Sequence, residues 1–407
     1  MKVLYLFQIG FRRVARVVCI PLIWLLMPAK LFAYRIRWFW LRRLILEVTT
    51  FFDFAMVFAL TQNEAMRLHG TIYRGNFIFG KAVMVTDHET AEREIAQTTL
   101  RGNRFMGVDI VSNDPMAFAT NAGPITTGQP TRGLIRGHID REIMTDRVRS
   151  FDLTSLRTEC APILAEWSAD PAMTNMWIIR GAVTRLFLQI LAEQAPPKKQ
   201  TDEITFHYTR RFVEFSLFGR YLPLMLGILG TREGIRRDAY IPLSQLGIDN
   251  MVIDMTLFAA MFSVGTIVMK CVEFAATHNI DYAALPPHAR MIFVIEAQRL
   301  CPTVTSVHRI IERDEMVTVR GRELRLGAGD EVAYPFLCIN RDPRRFERPT
   351  EFRLDRSREE YGRVLSWSAG PHVCPAKDLS ILATVMMLDA LAARGDLRTT
   401  PIMNLEF

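Results

Sequence analysis

The pattern of apolar and polar positions divides the chain into an N-terminal stretch of about seventy residues and a longer globular part. The globular part begins with two predicted short strands around Gly75 and Gly80 and continues as a mostly helical chain. The other predicted elements are helices over 87–98, 251–276, 288–300 and 376–393, and a hairpin over 317–326 that turns at Arg320-Gly321. The fold class that follows is mainly α with small β-sheets.

Three local signals support these elements. Residue Thr86 or Asp87 caps the start of the first helix. The helix over 251–276 is one continuous apolar stretch, long enough to cross the interior of a domain. The next helix is opened by Pro286-Pro287 and stopped by Pro302, whereas 340–363 is a polar, irregular, arginine-rich segment.

The N-terminal stretch is predicted to be a membrane anchor over residues 1–66, followed by one domain over 67–407. Val17 to Met27 is apolar, interrupted only by Pro21, and arginines flank it together with Trp38 and Trp40. The run is shorter than the roughly 20 residues that span a bilayer as a helix. Basic residues alternating with tryptophan suit the headgroup region, so the segment spans with help from its flanks or lies in the interface. A buried N-terminal pair of helices is the alternative.

Charge and cysteine usage narrow the class of protein. The net charge is +7 and most basic residues are arginines, but they form no dense run and no zinc-finger spacing occurs, so we expect no nucleic-acid partner. Anionic lipid, cofactor carboxylates and an acidic redox protein are the alternatives. The six cysteines are widely spread without any CxxC pair, which argues against a disulfide framework or a multi-cysteine zinc site and predicts a reducing compartment.

One cysteine lies in a segment that indicates chemistry, which runs from Trp367 to Asp378 as WSAGPHVCPAKD. A thiolate bound to iron needs nearby donors that temper its charge, apolar bulk beside it, and a loop without side chains that would clash with a porphyrin. Trp367 offers the apolar bulk. Gly370 allows a tight turn in which the backbone can approach the porphyrin closely. The start of the following helix offers N–H groups and a positive dipole end to Cys374.

This loop resembles that of the cytochrome P-450 superfamily, which reads aromatic-x-x-Gly-x-Arg/His-x-Cys-x-Gly/Ala. The matching positions are Trp367, Gly370, His372, Cys374 and Ala376. The resemblance implies a P-450-like fold with haem b between the long central helix and the cysteine loop. It also implies that Cys374 is the thiolate ligand of the haem iron and that His372 is a donor to a haem propionate.

Two more segments carry the resemblance, which extends over about residues 70–393 and is weaker in the first half. Glu296-Ala-Gln-Arg299 is similar to the Glu-x-x-Arg motif of the family, and its two charged residues share one helix face. The family closes that pair with an arginine from an irregular segment, and 349–356 matches it with Arg356 in this role. A solvated pair is the usual result of such spacing, but the order of the three motifs favours the family reading.

Further residues are candidates for holding the haem propionates. Arg132 and Arg136 lie four residues apart in a segment that resembles the family's propionate-binding region, and on a helix they would share one face. His308 or Arg309, after a strand-like stretch over 303–307, is another candidate. For each of these, an ordinary surface position is an equally good interpretation.

The predicted central helix departs from the family at the position that supplies protons to iron-bound oxygen. The family usually places an acid and an alcohol side by side there, because splitting the O–O bond consumes protons in a dry pocket. Thr266 stands for the alcohol, but Gly265 occupies the place of the acid. Ser263 and Thr266 are therefore the catalytic candidates, either ordering a water chain or bonding to the preceding turn.

The resemblance implies a membrane-associated haem-thiolate monooxygenase that inserts oxygen into an apolar small molecule such as a lipid or steroid. It would take electrons from a flavin reductase or ferredoxin-type donor and, in a eukaryote, face the cytosol from the endoplasmic reticulum. Peroxide-dependent or hydroperoxide-rearranging catalysis and non-catalytic haem binding are the alternatives. The electron donor would dock on basic residues that flank the cysteine loop in sequence, Arg344, Arg345, Arg348, Arg353, Arg358, Arg363 and Lys377. A solvated basic loop is the alternative for these residues.

Overall fold

The computed structural model describes residues 73–77, 80–97, 102–105, 108–109, 153–206, 208, 243, 246–248, 251–304, 306–310, 314–319, 322–327, 331–370 and 373–400. The chain divides into two compact units. One comprises Met1–Gly102 with Thr305–Glu351, and the other comprises Asn103–Val304 with Phe352–Phe407. The predicted membrane anchor over 1–66 lies outside the described residues and stays a prediction.

Strands and helices are named here in chain order. The strands are β1 (Tyr73–Phe77), β2 (Gly80–Met84), β3 (Gly102–Phe105), β4 (Val108–Asp109), β5 (Ser306–Ile310), β6 (Glu315–Val319), β7 (Arg322–Leu326) and β8 (Glu331–Pro335). The helices are α1 (His88–Gln97), α2 (Leu153–Ala169), α3 (Met176–Ala192), α4 (Met251–Thr277), α5 (Pro287–Leu300), α6 (Phe336–Ile339), α7 (Arg358–Gly362) and α8 (Lys377–Ala392). Residues 198–206 are also helical, and 3-10 turns cover Leu365–Trp367 and Leu397–Thr399.

The first unit contains the mixed sheet of the structure. Strand β2 pairs antiparallel with β1 and parallel with β8, and β8 pairs antiparallel with β5. Strands β6 and β7 form a separate antiparallel hairpin in which Val319 is opposite Arg322, so the predicted turn at 320–321 is correct. Helix α1 begins after Asp87, whose carboxylate accepts the backbone N–H of Thr90 at 2.8 Å, as its predicted N-cap role requires.

Helix α4 is the central element of the second unit and packs against α3, α5 and α8. Its fully buried side chains fall on one side of the helix, at Leu257, Met261, Val264, Val268, Cys271, Val272 and Ala275. The other side of the helix is more open, because Ala259 is exposed and Phe262, Ser263 and Thr266 are only half-buried. We call these four residues the open face of α4.

The predicted fold class and most predicted elements agree with the structure. The helices predicted over 87–98, 251–276, 288–300 and 376–393 match α1, α4, α5 and α8 to within one residue at each end. One local prediction was wrong: His308 and Arg309 lie inside β5, opposite Ala333 and Val332, and not after a strand. The β-branched residues of 303–307 favoured a strand there, but pairing with β8 begins only at Ser306.

Within the described part of the chain, Ala259–Thr277 of α4 is the one stretch long and apolar enough to cross a membrane. About half of it (56%) is buried inside the protein. Core helices of soluble proteins have the same composition, so this stretch alone does not establish a membrane location.

Candidate active site

The cysteine loop is held in a tight conformation immediately before α8. After the 3-10 turn, Ser368 and Gly370 adopt positive φ angles of 69° and 56°, which reverse the chain. The backbone N–H of Cys374 then donates to the carbonyl of Trp367 at 2.8 Å, and that of Val373 donates to the carbonyl of Gly370 at 3.1 Å. These bonds fix the half-buried Cys374 at the positive end of the α8 dipole.

Trp367 is packed between the loop and the first turns of α8. Its side chain is buried, and its indole N–H donates to the hydroxyl of Ser380 at 3.2 Å. The ammonium group of Lys377 lies over the ring, 5.5 Å from the ring centre. An aromatic side chain is thus fixed three residues before Gly370, in the turn that leads to Cys374.

A buried ion-pair cluster lies on α5 and on the segment that precedes the cysteine loop. The carboxylate of Glu296 accepts from Nε and Nη2 of Arg299, each at 2.8 Å, in a bidentate arrangement. It also accepts from Nε of Arg356 at 3.0 Å and from the backbone N–H of Arg353 at 3.0 Å. All three charged side chains have no solvent exposure, so the structure brings Glu296, Arg299 and Arg356 together as their order in the sequence indicates.

The charges of this cluster are balanced. Arg356 donates its Nη1 to Glu360 at 3.2 Å, so two guanidinium groups face two carboxylates. Burial lowers the pKa of Arg299, while the hydrogen bonds and charge of Glu296 act in the opposite direction. Burial also raises the pKa of Tyr361, whose hydroxyl donates to the carbonyl of Arg353 at 3.0 Å. Each buried guanidinium of the cluster therefore has a carboxylate as a hydrogen-bond partner.

Helix α5 is connected directly to the cysteine loop. The hydroxyl of Ser366 donates to the backbone carbonyl of Gln298 at 2.7 Å, and both residues are buried. Gln298 lies between the two charged residues of the α5 motif. The ion-pair cluster therefore fixes the helix to which the start of the loop is bonded.

The other described cysteines are poorer candidates for a thiolate. Cys160, Cys271 and Cys338 are buried, and burial raises the pKa of Cys271 and raises that of Cys338 to about 12. Cys301 is half-buried at the C-terminal end of α5, where the negative end of the helix dipole disfavours a thiolate. Cys374 alone among them combines partial burial with the N-terminal end of a helix.

The open face of α4 presents the two predicted catalytic hydroxyls, but both are bonded to the helix itself. The hydroxyl of Ser263 donates to the carbonyl of Ala259 at 2.7 Å, and that of Thr266 donates to the carbonyl of Phe262 at 2.8 Å. This is the local alternative expected for hydroxyls inside a helix. In this conformation neither hydroxyl proton is directed into the adjacent space.

Gly265, in the position of the family's acid, is a packing residue between α4 and α3. A Cβ atom there would lie 3.2 Å from Cγ2 of Ile179 and 3.4 Å from Sδ of Met176. Such contacts are tight for a single carbon, and a longer acidic side chain has no room without displacing α3. The close approach of the two helices therefore accounts for the glycine.

The predicted propionate-binding residues cannot be placed in the site. His372, Arg132 and Arg136 lie outside the described residues. For His308 and Arg309 the backbone of β5 is described but the side chains are not. Their roles remain predictions from the sequence.

Most of the proposed docking arginines have acidic partners close by. In the first unit Arg344 pairs with Asp87 and Asp342, and Arg345 pairs with Glu89 at 2.8 Å. In the second unit the arginines at 353 and 363 pair with the carboxylates of residues 355 and 359. Much of the positive charge counted from the sequence is therefore neutralised locally.

Sequence reasoning missed three contributors to the site. Ser366 and Ser380 hold the loop and Trp367 through single hydroxyls, for which no sequence signal exists. The role of Glu360 could have been predicted from the sequence, because Ser357-x-x-Glu360 has the pattern of a capping box, which forms at the start of α7. That box orients the carboxylate that receives Arg356.

The donor set around Cys374 fits a haem-thiolate centre. The thiol is half-buried at a helix N-terminus, and the loop before it is closed by backbone hydrogen bonds and a positive-φ glycine at 370. Apolar surface is also available in the same unit, since Ala259 is exposed and Val304 is 44% exposed. Haem ligated by a thiolate supplies cleavage of the O–O bond of bound oxygen species.

Comparisons with known proteins agree with this site. The cytochrome P450 family model matches residues 291–393, which contain the ion-pair cluster and the cysteine loop. A bifunctional dioxygenase–epoxy alcohol synthase of Pyricularia oryzae is 29% identical over 109 residues, and a linoleate 10R-lipoxygenase of Aspergillus fumigatus is 33% identical over 109 residues. These stretches are 27% of this chain and only 9% of each relative.

The fold comparison extends over most of the chain. The crystal structure of P450BioI, in complex with an acyl carrier protein ligated to hexadec-9Z-enoic acid, superimposes with a TM-score of 0.63 and 16% identity. It covers 82% of this chain and 92% of that structure. Residues 291–393 therefore match the cytochrome P450 family model, and the chain has the fold of cytochrome P450 structures, as the sequence predicted.

Proposed function

We propose that the chain is a haem-thiolate monooxygenase that inserts oxygen into an apolar, lipid-like small molecule. The observation that carries this proposal is the fixed position of Cys374 before α8. Backbone bonds hold its loop, and the loop is tied to α5 and its buried ion-pair cluster. Such rigidity keeps a single axial ligand at one distance from a metal.

The cofactor in this proposal is haem b. Cys374 would bind its iron through the thiolate, and Trp367 would shield that ligand from water. His372 would bind the propionates, with Arg132, Arg136 and either His308 or Arg309 as further candidates. The ion-pair cluster of Glu296, Arg299 and Arg356 would have a positioning role, because it fixes α5, to which the start of the cysteine loop is bonded.

The proposal includes an electron donor and a membrane. A flavin reductase or ferredoxin-type protein would dock on the basic residues near the cysteine loop in sequence, and residues 1–66 would anchor the enzyme with its catalytic domain in a reducing compartment. Because most of those arginines have acidic neighbours, charge reversal at one of them also breaks an internal ion pair. Arg358 is a better probe, since it is exposed at the start of α7 and has no carboxylate partner among the described residues. Arg358→Glu should slow reductase-driven turnover and spare peroxide-driven turnover.

The ligand is tested by the carbon monoxide difference spectrum of the reduced, full-length protein. Wild type should show the strongly red-shifted Soret band of a thiolate-ligated haem, and Cys374→Ala should lose it. Cys301→Ala is the matched control, since Cys301 is the other half-buried cysteine of the described chain. Retention of the band in Cys374→Ala, or its loss in Cys301→Ala, would reject Cys374 as the ligand.

A second function is favoured by the open face of α4. Activation of O2 needs protons and electrons, whereas rearrangement of a lipid hydroperoxide moves oxygen within the substrate and needs no external electrons. The bonds of Ser263 and Thr266 to their own helix, together with Gly265 in the acid position, suit the second reaction. The names of the two fungal relatives, an epoxy alcohol synthase and a linoleate lipoxygenase, also suit fatty-acid oxygenation.

Turnover assays separate the two functions. Product formed only with NADPH, a reductase and O2 would establish the monooxygenase; product formed from a fatty-acid hydroperoxide without a reductase would establish rearrangement. Thr266→Val sharpens the comparison, because it should reduce coupled O2 turnover if the hydroxyl rotates to deliver protons and should leave hydroperoxide turnover unchanged. Haem binding without turnover in either assay would leave the third alternative, a non-catalytic haem protein.

A further inference from the structure

Arg180 of α3 lies next to the open face of α4, and within the described part of the chain it has no counterion. Its guanidinium carbon lies 4.6 Å above the centre of the Phe262 ring. The side chain is half-buried, its Nε is buried without a hydrogen-bond partner, and burial lowers the pKa of the guanidinium. Among the described residues, no carboxylate pairs with it.

Two neighbouring arginines have carboxylate partners, although Nε of Arg185, like that of Arg180, is buried without a hydrogen-bond partner. Arg185, on the same helix, pairs with Glu166 at 2.6 Å, and Arg157 on α2 pairs with Asp389 at 3.0 Å. A partly desolvated guanidinium without a partner costs free energy, because protein contacts replace water without supplying acceptors. A stable position of this kind is expected where a ligand supplies the acceptor.

Helix geometry places Arg180 at the border of the open face. Successive residues of an α-helix are about 100° apart around the axis, so Phe262 lies roughly 60° from Gly265 on one side and 40° from Thr266 on the other. Gly265 faces α3, whereas Thr266 and Ala259 belong to the open face. A cation stacked on Phe262 therefore lies between the α3 contact and the proposed catalytic hydroxyls.

We propose that Arg180 binds the carboxylate of a long-chain fatty acid or fatty-acid hydroperoxide whose apolar chain lies along the open face of α4. The proposal rests on the proposed function and names its substrate class. A planar guanidinium can bind a carboxylate through two parallel hydrogen bonds, which distinguishes a free acid from its ester. The Phe262 ring holds the guanidinium flat and supplies apolar surface for the first carbons of the chain.

This assignment has a consequence for stability. If Arg180 were a structural residue, replacing it would destabilise the fold. Because no carboxylate of the described residues pairs with it, Arg180→Met should leave the thermal midpoint of the substrate-free protein unchanged or raise it.

The test measures binding of oleic acid and of methyl oleate to the full-length, haem-loaded protein in lipid nanodiscs. Binding is followed by the Soret shift and, independently of haem, by equilibrium partition of radiolabelled ligand. The variants are Arg180→Met, the charge-retaining Arg180→Lys, and Arg185→Met as a matched arginine control on the same helix. We expect Arg180→Met to weaken oleate binding at least tenfold and to change methyl oleate binding less than twofold, with Arg180→Lys intermediate and Arg185→Met like wild type.

Several outcomes would overturn the assignment: unchanged oleate binding in Arg180→Met, an equal loss for the ester, or a loss of haem content, which would identify a haem propionate as the partner. Failure of the proposed function gives a different result. In that case the carbon monoxide band is absent, while partition of radiolabelled oleate still depends on Arg180.

Discussion

Replacing Glu296 by glutamine should remove the charge that holds the buried ion-pair cluster together. The carboxylate accepts four hydrogen bonds, three of them from guanidinium nitrogens, and none of the charged side chains is exposed. Glutamine has nearly the same shape but offers one acceptor and directs an NH2 group at a donor. The cluster would then contain two guanidinium groups but only one carboxylate, that of Glu360, which pairs with Arg356.

The expected loss is about 3–5 kcal/mol, the usual effect of removing one partner from a buried pair. Since whole domains are stable by about 5–15 kcal/mol, this is a large share. With a denaturant dependence of about 6 kcal/mol per M in guanidinium chloride, the unfolding midpoint should fall by at least roughly 0.5 M. Haem should also be lost earlier in the titration, because α5 is bonded to the cysteine loop through Gln298 and Ser366.

The assay follows helix content by circular dichroism and the Soret band in parallel. Glu359→Gln is the matched control, because Glu359 also pairs with an arginine, Arg363, but its side chain is 74% exposed. Exposed pairs contribute about 0–1 kcal/mol, so the midpoint of this control should change by less than roughly 0.2 M. If Glu296→Gln were as stable as Glu359→Gln, the cluster would have no positioning role.

Two further predictions concern packing and pH. Gly265→Val should lower the thermal midpoint of unfolding by several degrees, because the new side chain would meet Ile179 and Met176. Such overpacking costs about 1–3 kcal/mol. A thermal midpoint equal to that of wild type would contradict the close approach of α3 and α4. Burial acts to raise the pKa of Asp87, but hydrogen bonds from Thr90 and Arg344 outweigh it and hold the pKa at about 2. Because the folded pKa lies below the unfolded value, this contribution of roughly 2 kcal/mol is present above about pH 4 and is lost as the pH falls to 2. Urea titrations at each pH should show this loss in wild type and a smaller one in Asp87→Ser, which keeps a helix-capping hydroxyl; an equal loss in both would contradict it.

Much of the fold was predictable because local signals agreed with one another. A continuous apolar stretch placed α4, prolines marked the two ends of α5, and Arg320-Gly321 marked a turn. The ion-pair cluster was predictable for a different reason. Glu296 and Arg299 alone have the spacing of any exposed helix pair, and only the order of three motifs identified them.

Other features could not be predicted because they depend on contacts between distant segments. The pairing of Arg344 with Asp87 joins residues 257 positions apart, so the sequence showed only a basic segment and not its neutralisation. The direction of the Ser263 and Thr266 hydroxyls has no sequence signal, because a hydroxyl that bonds its own helix has the same spacing as one that faces a pocket. Arg180 was missed for a similar reason: that no described carboxylate pairs with it appears only when its surroundings are known.

The features that the sequence could not show bear on one question, the source of the oxidant. An enzyme that activates O2 needs a proton route and an accessible site for an electron donor. In the structure the hydroxyls of the route are bonded to their own helix, the acid position is a packing glycine, and most arginines near the loop in sequence have acidic partners. None of these features weakens the case for a thiolate at Cys374, because that case depends on the loop and on α8. The identity of the iron ligand and the source of the oxidant are therefore separate questions. A fatty-acid hydroperoxide bound through its carboxylate would serve as the oxidant without a proton route or an electron donor.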